Sequence, residues 1–308
     1  MISSSHMGFE GAQNLDRTSN LESIEAPVFK SEHEAYVMSK AYEKAIGILE
    51  RESIKPEQFS ETYSEALLTK CANYVTNCER KFEERRESDI AWKRAEIFGK
   101  TLEALLHDQI NQGIYGDDVR GVSTAPYDDY YTGIDEVLER QDENGSTYIG
   151  CALDFTFGHP EKKMEKIVQS IEAGLLHDVI FYESPFGNPP HVHGKLQGMP
   201  KIVVGMDAEH LTELSELWIG DEQERIQDSH LLLMILRQIE QQSEVYEIIA
   251  KRHHKNEVAA RYRQVYNSVL KLYKEIKERK NIVMLDSEAL SDKVNVGIKN
   301  ELARMLNL

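Results

Sequence analysis

Apolar residues recur at three- and four-residue spacing along the first third of the chain, which is the period of an amphipathic helix. One such stripe covers residues 36–49, a second covers 63–75, and a third lies within 89–112. Pro56 stands between the first two stripes, at a point where a helix should begin or end. The pattern therefore predicts three helices in this part of the chain.

The middle of the chain changes to short apolar stretches of the kind that form strands. Four strands are predicted, at 134–139, 147–157, 178–183 and 201–206. Asn144 and Gly145 separate the first two and suit the positive φ of a tight hairpin turn. A helical pattern at 161–174 follows the second strand. This order of elements predicts an α/β core.

From Asp207 onward the pattern is helical again, with long amphipathic stretches at 227–251 and 256–280. These two stretches predict either a helical hairpin packed on the core or a surface for a homodimer formed through the C-terminal helices. Residues 8–30 are polar and aperiodic, and we expect a disordered arm there, after an opening that resembles a tag remnant. Four segments are expected: 1–30 tag remnant and arm, 31–88 N-terminal helical segment, 89–220 α/β core, and 221–308 C-terminal helical segment.

Composition narrows the classes of protein. The chain has 53 acidic and 36 basic residues, a net charge of −17, which argues against nonspecific coating of nucleic acid because lysine and arginine supply that affinity. The charge does not exclude an enzyme in which a divalent metal bridges carboxylates and phosphate. No apolar run reaches the roughly 18 residues of a membrane helix, so we expect a cytoplasmic protein without a membrane partner. Walker A, hydrolase-elbow and dinucleotide motifs are absent from the sequence.

The second predicted strand carries the best candidate chemistry. Alternation places Cys151, Leu153 and Phe155 on an apolar face, with Asp154 on the opposite face. Asp135, in the preceding strand, can approach Asp154 across the hairpin. Two close carboxylates repel each other unless a cation or a proton lies between them. A pair of this kind suits Mg²⁺ and metal-assisted hydrolysis at phosphorus; alternatively, Asp135 caps a turn and Asp154 pairs with a helix lysine.

These elements resemble the core of the PD-(D/E)XK nuclease superfamily. That core has a helix bearing a glutamate, a strand with an aspartate, and a hairpin to a strand that ends in Asp/Glu-x-Lys. A crossover helix and two further strands complete it. The matching stretch covers residues 89–206, and ALDFTF stands at the place of the lysine motif. The resemblance implies a mixed central sheet of about four strands flanked by helices, with helical extensions at both ends.

The resemblance also assigns metal ligands. It implies that Asp135 and Asp154 bind Mg²⁺ or Mn²⁺ together with the backbone carbonyl of Phe155. The helix glutamate of the family corresponds to Glu103 or, one face away, to Glu96.

One position departs from the family pattern. Thr156 stands where the family has the lysine that positions and polarises the attacking water. Some members carry this lysine on the next helix, where Lys163 and Lys166 are found. The implied activity is metal-dependent hydrolysis of phosphodiester bonds in DNA or RNA. The alternative is a catalytically inactive relative that serves as a binding or assembly module, which Thr156 and the acidic net charge favour.

Two further groups of residues are weaker candidates. Tyr127, Tyr130 and Tyr131 precede the strand of Asp135 and either stack on bases or anchor their loop to the core. His191 and His193 form an H-x-H pair that suits a transition metal, although a surface loop is the simpler interpretation.

Overall fold

A computed structural model of the chain describes residues 29–141, 150–187, 190, 192–280 and 287–307. Nearly all of the predicted arm, and the predicted turn at Asn144 and Gly145, lie outside the described residues. The helices are α1 (Glu32–Glu52), a 3₁₀ turn (Pro56–Phe59), α2 (Glu65–Ser88), α3 (Ile90–Asn111), α4 (Pro126–Thr132), α5 (Glu161–Ala173), α6 (Ala208–Ile219), α7 (Gln223–Asp228), α8 (His230–Arg252), α9 (Asn256–Arg279), α10 (Ser287–Ser291) and α11 (Lys293–Leu306). The strands are β1 (Val119–Ser123), β2 (Glu136–Arg140), β3 (Cys151–Thr156), β4 (His177–Glu183), β5 (His193–Met199) and β6 (Lys201–Gly205).

The larger sheet confirms the prediction of an α/β protein with a mixed sheet of four strands. Its order is β1-β2-β3-β6, in which β1, β2 and β3 are antiparallel and β6 runs parallel to β3. The strands that form this sheet are not all the predicted ones. The strand β1 lies where a loop was expected, and β4 pairs instead with β5 in a separate two-stranded sheet.

The backbone of β4 is bound by a buried side chain from a distant part of the chain. The backbone N–H groups of Ile180 and Phe181, within β4, donate to the carboxylate of Asp128 at 2.8 and 3.0 Å. Asp128 lies in α4 and is fully buried. A side chain thus satisfies backbone donors that another strand would otherwise have to satisfy. The sequence pattern of β4 could not reveal this, because the partner is a distant aspartate.

The alternation predicted for β3 is confirmed. Cys151, Leu153 and Phe155 belong to the main hydrophobic cluster, together with residues of α3. Ala152 packs on the other side of the sheet with Val137 and the β4–β5 sheet. All six residues of β3 are buried.

The helix α8 covers the outer edge of the sheet. Gln238 and Gln242, one turn apart, each bind the backbone of β6 in both directions. The Gln242 side chain accepts from Val203 N at 3.1 Å and donates to Val203 O, while Gln238 does the same at Gly205. An uncovered edge strand exposes unpaired N–H and C=O groups, and the two glutamine amides satisfy them here.

The helical segments at the two ends of the chain share one core with the sheet. The main cluster of buried apolar residues extends from Phe29 to Met305. The apolar positions of α9, including Tyr262 and Val269, are buried within the chain. The helical-hairpin interpretation therefore describes α8 and α9, and their apolar stripes are already covered. No helix in the described part of the chain is both long and apolar enough to cross a membrane.

Candidate functional site

Asp135 and Asp154 lie near each other beyond the last regular pair of β2 and β3, close enough for the charge of Asp154 to raise the pKa of Asp135. The regular antiparallel register ends at Glu136 and Leu153. Asp135 N donates to Leu153 O at 2.9 Å and so departs from this register by one residue, which is the pattern of a β-bulge. In addition, Asp135 Oδ2 accepts the N–H of Phe155 at 2.6 Å.

Two lysines hold the carboxylate of Asp154, which is only 6% exposed. Lys163 Nζ, from the first turn of α5, contacts Asp154 Oδ1 and also donates to the carbonyl of Phe155 at 2.6 Å. Lys201 Nζ, from the start of β6, lies 2.7 Å from Asp154 Oδ2 and donates to Thr132 O at 2.9 Å. Gly133 allows this approach, because a Cβ at that position would lie 2.9 Å from the Lys201 ammonium.

A second group of charges approaches the pair from α3 and α4. Lys100 Nζ lies 2.7 Å from Glu103 Oε2 and 3.2 Å from Asp129 Oδ2, so it joins a helix glutamate to α4. Glu103 is 7% exposed. It acts on Asp135 through its charge, and its hydrogen-bond partner is Lys100. The site therefore combines four carboxylates with three ammonium groups.

Two carboxylates of the site, Asp135 and Glu103, have raised pKa values. Burial, reinforced by the charges of Asp129, Glu103 and Asp154, holds the pKa of Asp135 well above its usual range. Burial also raises the pKa of Glu103 to about 7, against the opposing attraction of Lys100.

The groups of the site differ in exposure. Asp154, Glu103 and Lys201 are buried, whereas Asp135 is half-buried and the side chain of Lys163 is 39% exposed.

The other predicted site residues lie elsewhere. Lys166 is exposed on α5. The Thr156 hydroxyl accepts a long bond from Gly158 N at 3.4 Å. Glu96, the alternative helix glutamate, is bound by the guanidinium of Arg86 at 2.7 Å, away from the aspartates.

Sequence reasoning missed Lys100, Asp129 and Lys201. Lys100 carried a signal, since it precedes Glu103 by three residues on the same helix. Asp129 stood in the tyrosine-rich stretch before Asp135, but helix α4 was not predicted there. Lys201 opens a predicted strand, and only the parallel pairing of Ala152 with Lys201 brings it to Asp154.

A second buried group of potential metal ligands consists of Asp207, His210 and Asp292, whose ligand atoms lie within 4.8 Å of one another. Asp207 caps α6 and also accepts from Lys293 N, while Asp292 caps α11 and also accepts from Asp207 N. His210 Nδ1 lies 3.0 Å from Asp207 and 3.2 Å from Asp292. These oxygens already accept backbone hydrogen bonds, so the group joins two helix starts.

Of the two histidines in the H-x-H motif, only His193 lies within the described residues. His191 lies outside the described residues. The ring of His193 stacks on Phe59 at 4.4 Å and its Nδ1 lies 2.7 Å from Glu183. The contacts of His193 are thus those of a residue that holds β5 against its neighbours.

No protein-family model matches the sequence, and neither a curated protein nor a solved structure matches the chain. The function of the site is therefore argued from its residues and geometry.

Proposed function

We propose that the chain binds Mg²⁺ or Mn²⁺ at Asp135 and Asp154 and hydrolyses phosphodiester bonds in DNA or RNA, as a divergent relative of the PD-(D/E)XK nucleases. The position of the Lys163 ammonium carries this proposal. It contacts a carboxylate oxygen of Asp154 and the carbonyl of Phe155. These are two of the ligand atoms that the resemblance assigns to the metal, so the fold already stabilises a cation there.

The donor set fits a hard divalent cation. Mg²⁺ prefers oxygen ligands and is commonly held by one or two carboxylates, with waters and substrate phosphate in the remaining positions. Asp135 uses one oxygen to accept the N–H of Phe155, which leaves its other oxygen for a cation. When bound, the metal would polarise a phosphoryl oxygen and lower the pKa of a water molecule.

The protein's own groups have distinct roles in this proposal. Lys201 binds the far oxygen of Asp154 and so fixes the direction of that carboxylate. Lys163, once displaced from Asp154, remains beside the site as the relocated lysine and can contact an attacking water or a phosphate oxygen. Glu103, with a pKa of about 7, can accept a proton near neutral pH, and Lys100 holds it in position.

The second candidate is an inactive module on the same fold, and one observation favours it. The three ammonium groups of Lys163, Lys201 and Lys100 equal in number the carboxylates that they bind, which are Asp154, Glu103 and Asp129. With a proton on Asp135, which its raised pKa favours, the site is balanced without any metal. A relic that had replaced its metal by lysines would have this arrangement.

Metal binding separates the two candidates. Mn²⁺ and Mg²⁺ are titrated by calorimetry against wild type, Asp135→Asn and Lys163→Met, and cleavage of plasmid and single-stranded DNA and RNA is followed in parallel. If the proposal holds, wild type binds one cation and Asp135→Asn does not. Lys163→Met binds the cation more tightly, because its competitor is gone, yet cleaves about 100-fold more slowly.

Lys166→Met is the matched control, since Lys166 lies three residues further along α5 and is exposed. It should match wild type in both assays. Binding by Lys163→Met but not by wild type would favour the inactive module, in which the lysine has replaced the metal. Absence of binding and cleavage in every variant would refute the proposed function.

A further inference from the structure

Beside the carboxylates, α4 presents a cluster of stacked tyrosines to solvent. The rings of Tyr127 and Tyr131 are nearly parallel, at 12° and 5.4 Å between centroids. Tyr74, from α2, meets both edge-on at 5.6 and 5.7 Å. Tyr131 is 64% exposed and Tyr74 is 36% exposed. We call these three residues the tyrosine ledge.

The tyrosine ledge packs against the protein interior on one side and is exposed to solvent on the other. Tyr127 is half-buried and contacts Phe181 edge-on at 6.0 Å, which anchors the stack. Tyr131 stacks on Tyr127 and is 64% exposed, so much of this side chain remains accessible to solvent. The backbone is also tied, because Tyr74 donates its hydroxyl proton to Tyr130 O at 3.3 Å. A fixed aromatic face of this kind is a stacking platform without a partner.

The ledge and the candidate site share helix α4. Asp129, two residues before Tyr131 on α4, is bound by Lys100 at 3.2 Å. Thr132, the residue after Tyr131, offers its carbonyl to Lys201, which also binds Asp154. The same short helix therefore carries the exposed ring and two groups that bind lysines of the site.

Basic residues lie next to the ledge. Lys70 and Lys81 are exposed on α2, four residues before and seven residues after Tyr74, and these spacings place all three on one face of the helix. A polyanion that stacks a base on Tyr131 would thus pass two ammonium groups. Glu79 also lies nearby, since its charge raises the pKa of Tyr130, so the basic character is local and modest.

We infer that the tyrosine ledge stacks an unpaired nucleobase and that the substrate is single-stranded nucleic acid, or a single-stranded end or flap. Every base has a π face, whereas a paired and stacked base in a duplex cannot present that face to a tyrosine. The inference deepens the proposed function and rests on it for the reaction that follows binding, although the binding itself is measured separately.

The test measures binding without cleavage. A fluorescein-labelled 12-nucleotide single strand and the same sequence as a duplex are titrated by anisotropy in Ca²⁺, with wild type, Tyr131→Ala, Tyr131→Trp and Tyr36→Ala. Tyr36 is the matched control, because it is 65% exposed on α1, away from the stack. Wild type should prefer the single strand, Tyr131→Ala should bind it about 5- to 100-fold more weakly, and Tyr131→Trp and Tyr36→Ala should bind like wild type.

Two further measurements make the interpretation unambiguous. With two phosphate contacts, log K should fall with log salt at a slope of about −1.4 for a single strand, and Lys70→Met/Lys81→Met should flatten that slope. Mn²⁺ binding by Tyr131→Ala should equal that of wild type. Single-strand binding that depends on Tyr131 without any cleavage would refute the proposed function and leave this inference standing.

The converse outcomes overturn the inference. Cleavage that is unaffected by Tyr131→Ala would do so while the proposed function stands. Equal binding of duplex and single strand, or a change of oligomeric state in Tyr131→Ala without any change in nucleic-acid binding, would also overturn it. The last result would identify the ledge as a protein contact.

Discussion

The two aspartates of the candidate site should respond in opposite ways to the same substitution. Asp154 is buried between Lys163 and Lys201, and the side chain of Lys201 is only 9% exposed. In Asp154→Asn, Lys201 keeps the Thr132 carbonyl as a neutral acceptor but loses its counter-charge. Asp135 has the reverse problem, because its neighbours hold its pKa well above the usual range and its charged form is the unfavourable one.

The magnitudes follow from the contacts. At the 2.7 Å between Lys201 Nζ and Asp154 Oδ2, the gross attraction at an effective dielectric constant of 20 is about 6 kcal/mol. Relief of repulsion on Asp135 offsets part of the loss, and removing one partner of a buried pair costs about 3–5 kcal/mol. We therefore expect Asp154→Asn to lower the free energy of unfolding by about 3 kcal/mol. Asp135→Asn, which can still accept the N–H of Phe155, should be neutral or stabilising by up to about 1 kcal/mol.

Urea unfolding followed by circular dichroism at pH 7.5, with EDTA present, measures both effects. The double variant Asp154→Asn/Lys201→Met removes the stranded ammonium and should regain about 2 kcal/mol relative to Asp154→Asn. Equal destabilisation by the two aspartate substitutions would contradict the reasoning. So would a double variant no more stable than Asp154→Asn, since Lys201 would then not depend on that carboxylate.

Three further predictions concern the fold around the site. Burial and the nearby Lys201 lower the pKa of His177 to about 4. In the unfolded chain this imidazole takes up a proton near pH 6.5, whereas in the folded chain it stays neutral until about pH 4. The free energy of unfolding therefore falls as the pH is lowered from 6.5 to 4, by at most on the order of 3 kcal/mol. His177→Gln should remove this part of the pH dependence, measured by urea unfolding at pH 7 and 5, and an imidazole that titrates near 6.5 by NMR would contradict it. Gly205→Ala would place a Cβ 2.0 Å from the backbone oxygen of Thr156 and should lower the free energy of unfolding by about 3 kcal/mol. The control Gly47→Ala lies in a helix with nothing within 4 Å of the new Cβ, and it should stabilise the protein by up to about 1 kcal/mol. Thermal melts compare the two variants, and a Gly205→Ala variant as stable as wild type would refute the close approach. Gln242→Leu removes the side-chain amide of α8 that binds the N–H and C=O of Val203, and it should lower the free energy of unfolding by about 2–4 kcal/mol. Hydrogen exchange of the Val203 amide should become faster. Unchanged exchange at Val203 would mean that α8 does not protect the edge of β6.

The sequence alone determined the elements whose periodicity is strong and local. The helices α3 and α5, the strand β3 with its two faces, and the strand β6 were all predicted, because side-chain period reports directly on which face is buried. The hairpin also predicted that Asp135 approaches Asp154, and the charge of Asp154 does act on Asp135. The strand β1 and the helix α4 were not predicted, since both are short and carry few apolar residues in phase.

Only the tertiary structure decided which charges meet. Lys201 reaches Asp154 because β6 pairs in parallel with β3, and Lys100 of α3 contacts Asp129 of α4 through its long side chain. Likewise, β4 pairs with β5 outside the central sheet, and a buried aspartate of α4 binds its backbone. Coulomb and hydrogen-bond energies depend on distances in space, and residues 29 to 53 positions apart have no fixed distance until the chain is packed. The sequence therefore indicated the two aspartates and Lys163, and the packing brought Lys201 and Lys100 to the same group of charges.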